Sequence, residues 1–514
     1  MARLFEYQTK ELLKKVGIAV PKGKVCENLD EIETFCSELG KPVVIKAQVW
    51  FTGRAAVGGI HFADSPAEAV QKAETVLGKT FRNFTVTKIL VEEKLDIVRE
   101  MFCSVIISDT ERGPVVIFSS KGGSGVEEIA AEHPEAVVKK PVNITTGLRD
   151  YEAVNLIRKL DLTGRPLLQV GQVLVKLVNA AKQYEARSVE INPVVLTADG
   201  KVYAADARMT VDDYAVFRHP ELGISYAREL DNPPSPLDIL AYSIEEHDYR
   251  GTFYFIQLER GFQKSDNVIG FHGAGGGGSM MSMDAVQRRG YTLANFCDTS
   301  GNPPASKVYR AARIILAQKN IVGYFGSGSG VASQEQVQSA RGLVKAFIEE
   351  NLSVPAVVRL GGNLEKEAVE ILEGFTKHLP APVEGYTKDD SADFCAERIH
   401  TLINEFTPPE KVERPSIRLK QIDYEFETMT GKVQFDYRVC AKDVAQKIVD
   451  ECPRDILKLE NDKPVLDITP DDAKKGKCIE CLACELAGIL ENGERACYVD
   501  LPVEELDEIA EKSQ

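Results

Sequence analysis

Lys46 ends the apolar run Val43-Val44-Ile45 and precedes a glycine-containing stretch, Thr52-Gly53-Arg54-Ala55-Ala56-Val57-Gly58-Gly59. A lysine at a strand end beside flexible backbone can grip phosphate oxygens. A lysine that merely snorkels to solvent is the plainer reading. In SVEINPVVLTADGKVYAADAR, Ala198-Asp199-Gly200 is a natural three-residue hairpin turn. That loop sets Asn192 directly opposite Asp206 on facing strands, where the two oxygens could hold Mg2+ beside a phosphate. Two solvated polar residues are the alternative. Glu92 and Glu100, in VEEKLDIVRE, flank a strand end and could hydrogen-bond a base or a ribose.

Further along, His272-Gly273-Ala274-Gly275-Gly276-Gly277-Gly278 follows the apolar run NVIGF and opens a helical pattern, and Gly326-Ser327-Gly328-Ser329-Gly330 follows VGYF. Such loops turn backbone N–H groups and a helix N-terminus toward an anion. Without a ligand they are simply tight strand-to-helix turns. Two of them at one sheet edge favour a site, because open α/β sheets bind ligands there.

The third constellation is made of thiols. Eleven cysteines are present, six of them between Cys440 and Cys497. Cys478-x2-Cys481-x2-Cys484 has the spacing of the first three ligands in an iron–sulfur run, and Cys452-Pro453 stands 26 residues upstream as a fourth. The pattern resembles a two-cluster ferredoxin that has lost one site. Lys442, Ala445, Ile448 and Gly488 occupy positions where the other site needs cysteine. The remaining four thiols imply a single 4Fe–4S cluster. Four thiolates also suit Zn2+, and Cys440 and Cys497 are left over, as buried apolar cysteines or as an alternative fourth ligand.

Positioning these groups takes more than one core. At 514 residues the chain is too long for a single domain, and its 44% hydrophobic content supplies real cores. Residues 1–235 alternate strand-like and helical runs, as in KPVVIKAQVW and TKILVEE, and the Pro-rich NPPSPLD marks a boundary. Residues 239–400 repeat a strand–loop–helix grammar that implies βαβ units and a parallel sheet. Residues 401–436 read as a linker. Residues 437–514 carry the thiols in a small α+β domain. A net charge of −16 argues against a nucleic-acid footprint. No run approaches the roughly 18 apolar residues of a membrane span. MARLFEYQTKELLKKVG has no apolar signal core, so a cytoplasmic chain is expected.

The stretches LFEYQTKELLKKVGIAVPKG, VVIKAQV, GRAAVGGI, ILVEEKLDIVRE, GGSGVEEIAAEHP, VEINPVVLT and FRHPEL, in that order, resemble the β subunit of succinyl-CoA synthetase. The resemblance covers about residues 3–385. It implies an ATP-grasp domain followed by a flavodoxin-like CoA-ligase domain. By the same resemblance Lys46, Gly53 and Arg54 match phosphate contacts, Glu92 and Glu100 match nucleotide contacts, and Asn192 and Asp206 match Mg2+ ligands. Glu190 matches a glutamate that steadies a phosphohistidine carried by a CoA-binding α-type partner subunit. The loops at His272, Gly273, Gly275, Gly326 and Gly328 match those that meet the phosphohistidine and a small carboxylic acid. The implied reaction joins the acid to CoA with ATP, releasing ADP and phosphate. His272 as a nucleophile is the lesser reading, since the family's nucleophile sits in a loop this chain lacks.

The chain departs from that pattern. The family's Gly-Gly-Arg-Gly-Lys loop is Thr52-Gly53-Arg54-Ala55-Ala56 here, preceded by Trp50, and Asn-Gly-Ala-Gly is His272-Gly-Ala-Gly. Asp298-Thr299-Ser300-Gly301-Asn302-Pro303-Pro304 replaces a run of glycines. These changes and the cysteine tail raise a rival reading, an electron-transfer or redox-regulatory subunit on a catalytically altered scaffold, served by an electron-transfer partner.

Overall fold

The computed structural model describes residues 2–51, 53–122, 133–228, 232–246, 253–328, 332–409 and 412–512. The chain divides into two units, Met1–Pro233 and Pro234–Gln514. No helix among the described residues is long and apolar enough to cross a membrane.

In the first unit a large antiparallel sheet runs in the order Ala2–Arg3, Ala207–Val211, Ala186–Thr197, Ile97–Ser108, Gly113–Ser119, Val137–Pro141, with Val202–Ala204 paired beside Ala186–Thr197. The helix Gly164–Gln183 buries Leu167, Val170, Leu174, Leu177 and Val178, a three-to-four-residue spacing that forms one apolar face. A smaller sheet orders Gly23–Cys26, Ile89–Glu93, Val43–Ala47 and Ile60–Ala63. The Ala198-Asp199-Gly200 turn forms, with Gly200 at φ 76°. Across it Val194 pairs with Ala204, and the Asn192 N–H donates to the Asp206 carbonyl at 3.1 Å.

In the second unit the sheet order is Tyr254–Gln257, Asn295–Asp298, Val268–Ala274, Gly323–Gly328, Ala356–Arg359, Val383–Tyr386, all parallel except the first. Both faces are covered, which is why the strands are nearly continuous in apolar residues. Tyr324 faces the core shared with the helices Ala305–Leu316 and Val337–Glu349. Phe325, its neighbour, faces Gly276–Gln287 and Ala392–Glu405.

The C-terminal segment does not build a core of its own. One apolar cluster runs from Leu237 through Phe347 to Phe435, Cys497 and Leu506. The reading of 401–436 as a linker needs correction. The helix Ala392–Glu405 extends into it, and Tyr424–Glu427 and Lys432–Phe435 form a hairpin that pairs with Cys497–Asp500. The alternation in YEFE and KVQF puts Phe426, Val433 and Phe435 in the core and the charges outside. A second hairpin, Leu457–Glu460 with Lys463–Leu466, follows Cys452.

Candidate functional site

The first site grows from the helix Glu6–Lys15, whose Glu6 and Lys10 sit one turn apart on one buried face. Lys46, at the end of Val43–Ala47, reaches Glu6 Oε1 and Glu92 Oε2, each at 2.8 Å, and the Ala205 carbonyl at 2.6 Å. Lys10 Nζ meets the same carboxylates at 2.7 and 2.6 Å. Arg54 Nη2 bridges Glu6 Oε2 and Asp206 Oδ2, both at 2.7 Å. Burial opposes the charge on Glu6, but Lys10, Lys46 and Arg54 outweigh it and hold the carboxyl well below its usual range. Burial likewise opposes the Lys46 charge, and Glu6, Glu92 and Asp206 overcome it and raise its pKa. Asp206 moves upward, through burial and the nearby Glu6.

Beside this network lies a cavity of about 350 Å3 lined by Trp50, Arg54, Glu190, Asn192, Asp206 and Arg208, among others. Glu190 pairs with Arg208 in the register that sets Asn192 against Asp206. With a period of two, all four side chains share one sheet face. Gly53, at φ 79°, turns the chain into the short helix Arg54–Val57, and this aims Arg54 back at Asp206.

Two expected nucleotide contacts lie elsewhere. Glu92 is 3% exposed and serves as counter-ion to Lys10 and Lys46, outside the cavity lining. Glu100 is exposed on Ile97–Ser108, also outside it. Glu6 and Lys10 were missed in the sequence, although their spacing of four in an amphipathic pattern was visible. Thr52 and most of GGSGVEEIAAEHP fall outside the described residues.

The second site sits at the C-terminal edge of the parallel sheet. His272 pairs with Gly326 and Ala274 with Gly328, so both glycine loops leave the same edge. Ser282 and Ser327 join them at 2.7 Å. Gly273 is obligatory, because a Cβ there would lie 2.2 Å from Ser279 Oγ and 2.5 Å from the Cys297 carbonyl. Asp298 Oδ1 accepts from the Gly275 and Ser300 N–H groups, each at 2.8 Å, so the chain's own carboxylate meets the start of Gly276–Gln287. His272 is buried between Tyr324 and Thr299, and burial lowers its pKa to about 4. Enclosed between those partners and 6% exposed, the ring is a poor candidate for a nucleophile. Ser329 and Gly330 lie outside the described residues.

Cys452, Cys478, Cys481 and Cys484 line one small cavity. Burial pushes the Cys481 thiol up to about 12. Cys497 is buried on the strand Cys497–Asp500 outside that cavity lining, and Cys440 accepts a hydrogen bond from Lys463 through its carbonyl at 2.9 Å. Among the described residues no group of three or more His, Cys, Asp or Glu side chains is drawn tightly enough to hold one metal ion.

The α/β frame that carries the cavity of Arg54 and Asp206 is of the ATP-grasp class, and residues 3–196 match the ATP-grasp domain family. The chain is 38% identical over 383 residues to the GDP-forming succinate–CoA ligase subunit beta of Thermus thermophilus, covering 74% of this chain and 96% of that protein. It is 35% identical to the ADP-forming subunit beta of Ignicoccus hospitalis, covering 72% and 93%. The chain therefore belongs to the succinate–CoA ligase β-subunit family. In fold it is similar to ATP citrate lyase from Methanothrix soehngenii in complex with citrate and coenzyme A, with a TM-score of 0.65, 18% identity, and 79% and 100% of the two chains covered.

Proposed function

We propose that this chain is the nucleotide-binding subunit of an ADP-forming acid–CoA ligase that works with an α-type, CoA-binding partner subunit. The observation that carries the reading is the square of Glu190, Asn192, Asp206 and Arg208 on one wall of the cavity, beside the Lys46–Glu6–Arg54 network. In this reading Lys46, Gly53 and Arg54 hold nucleotide phosphates. Asn192 and Asp206 hold Mg2+, which when bound neutralises the developing charge on the phosphoryl group. Glu190 orients the partner's histidine. The γ-phosphoryl bond to ADP breaks as the histidine nitrogen–phosphorus bond forms. The acid's carboxylate oxygen then takes the phosphoryl group, freeing the histidine and leaving an acyl phosphate. The CoA thiolate attacks the acyl carbon and phosphate departs. The loops at Gly273, Gly275, Gly326 and Gly328 form the sheet edge that meets the acid and the phosphohistidine, and His272 shapes that edge.

The test is thioester formation with the partner subunit, ATP, CoA and a panel of carboxylic acids. Asp206→Ala and Glu190→Ala are each expected to lose about 100-fold or more in turnover. Undiminished turnover in both variants overturns the reading.

The Cys478-x2-Cys481-x2-Cys484 spacing, with Cys452 lining the same cavity, supports a 4Fe–4S cluster at these thiols. When bound, such a cluster supplies one-electron chemistry or a structural staple. The Arg54–Asp206 ion pair favours the rival reading, a redox subunit on an altered ligase scaffold. Titration calorimetry with Mg-ATP separates the two: binding below millimolar supports the ligase, and no heat at millimolar nucleotide supports the rival.

A further inference from the structure

Arg208 lines the proposed nucleotide cavity as a cation with no bonded partner among the described residues. It sits in the strand Ala207–Val211, directly opposite Glu190, and shares the lining of the cavity of about 350 Å3 with Arg3, Arg54 and Asp206. Arg54 is held there by Glu6 and Asp206, and Arg3 donates to the Trp50 carbonyl at 3.2 Å. No hydrogen bond or ion pair joins Arg208 to any described residue, Glu190 included. The side chain is half-buried, so part of its hydration is lost with no protein acceptor in return. Burial and the like charge of Arg3 oppose its cation, and Glu190 and Asp206 offset them only in part. A guanidinium stays protonated all the same. An anion entering the cavity would remove that cost.

The strand pleat sets where the anion must lie. Asp206 and Arg208 point to one face, two residues and about 6–7 Å apart along the chain. At the Asp206 end stand Arg54, through its ion pair, and Lys46, which donates to the Ala205 carbonyl at 2.6 Å. At the Arg208 end stands Glu190, which the proposed function gives to the partner's histidine. The wall therefore runs from the proposed phosphate and metal contacts toward the proposed phosphoryl acceptor, and Arg208 stands at the acceptor end.

We infer that Arg208 grips the terminal phosphoryl group of a bound nucleoside triphosphate, on the side from which that group leaves for the histidine. The inference rests on the nucleotide reading above. The planar guanidinium donates parallel N–H groups to two phosphoryl oxygens. It gives up no proton and forms no covalent bond. The phosphorus–oxygen bond to ADP breaks with its electron pair on the ADP oxygen, the histidine nitrogen's lone pair forms the new bond to phosphorus, and Arg208 neutralises the oxygens in passage. A diphosphate ends before this point, so Arg208 distinguishes the triphosphate from the product ADP.

Titration calorimetry of the full chain with Mg2+ and either ADP or β,γ-imido-ATP tests this without the partner subunit. Arg208→Gln is expected to lose about 10-fold or more in affinity for the imido analogue while its ADP affinity stays at the wild-type value. Arg208→Lys keeps the charge without the fork. It is expected to fall between the other two proteins for the analogue and to match them for ADP. Unchanged affinity of Arg208→Gln for the analogue overturns the inference. So does an equal loss for both nucleotides, which a structural role or a general loss of positive charge would give. If Arg208→Gln does not fold, Arg208→Lys must fold and show the selective loss, and its failure to do so overturns the inference. These outcomes leave the nucleotide reading standing. A wild-type chain that binds neither nucleotide overturns that reading, and the inference with it.

Discussion

Arg54 holds Asp206 through a 2.7 Å ion pair, and the same guanidinium nitrogen holds Glu6. One cation therefore stands between two carboxylates, one of which is the proposed Mg2+ ligand. Removing it leaves Glu6 and Asp206 facing each other without that charge. Arg54→Ala is expected to lose about 3 kcal/mol of stability in the first unit. Millimolar Mg2+ is expected to raise the thermal midpoint of the variant more than that of wild type. Equal shifts in calorimetry would show that the metal does not take the vacated place.

His272 gives the second unit a pH dependence. Burial depresses its pKa to about 4, against an ordinary 6.5. Between those values the unfolded chain binds the proton and the folded chain does not, so acidification favours unfolding. The stability is fully present above about 6.5 and declines by about 3 kcal/mol at most as pH falls toward 4. His272→Gln should flatten that limb of a urea-midpoint profile. An unchanged slope would assign the dependence to other groups.

Two glycines of one loop should behave oppositely. Gly273→Ala forces a Cβ against Ser279 Oγ and the Cys297 carbonyl and is expected to cost about 3 kcal/mol. At Gly277, inside the helix Gly276–Gln287, a Cβ meets nothing within 4 Å. Gly277→Ala should be neutral, or stabilising by up to about 1 kcal/mol. Thermal midpoints of the two variants check this directly, and similar midpoints would contradict it.

Lys345 tests whether the cysteine segment is integral to the ligase body. Lys345→Met leaves the fully buried Glu485 with Arg495 as its one cation, and should cost about 3 kcal/mol or more. Adding Glu485→Gln removes the surplus negative charge and should restore part of the loss. A single calorimetric transition for unit 2 that falls as a whole fits one core. A separate, unaffected transition for the cysteine segment would contradict it.

Much of this was legible because it is local. The three-residue turn fixed the register of Asn192 against Asp206, and two strand–glycine–helix repeats brought His272 and Gly326 to one edge. Cys452 and the Cys478–Cys484 run, placed together by the resemblance to a two-cluster ferredoxin, line one cavity. What escaped is non-local. Nothing in the sequence near Lys46 says that Glu6, forty positions earlier, neutralises it, or that Glu92 is its buried counter-ion rather than a nucleotide contact. Lys345 and Glu485 stand 140 residues apart, and each alone looks like an ordinary surface charge on a helix. The hairpin at 424–435 was hidden for a different reason: its short, alternating strands carry nearly as many charges as apolar residues.

The most direct measurement is transfer of label from γ-32P-labelled ATP and Mg2+ to a histidine of the partner subunit. The wild-type chain should produce acid-labile phosphohistidine on the partner within one turnover, and Asp206→Ala and Glu190→Ala should not. Label that forms equally well with both variants, or fails to form with wild type, would contradict the assignment of this cavity as the phosphoryl-transfer site.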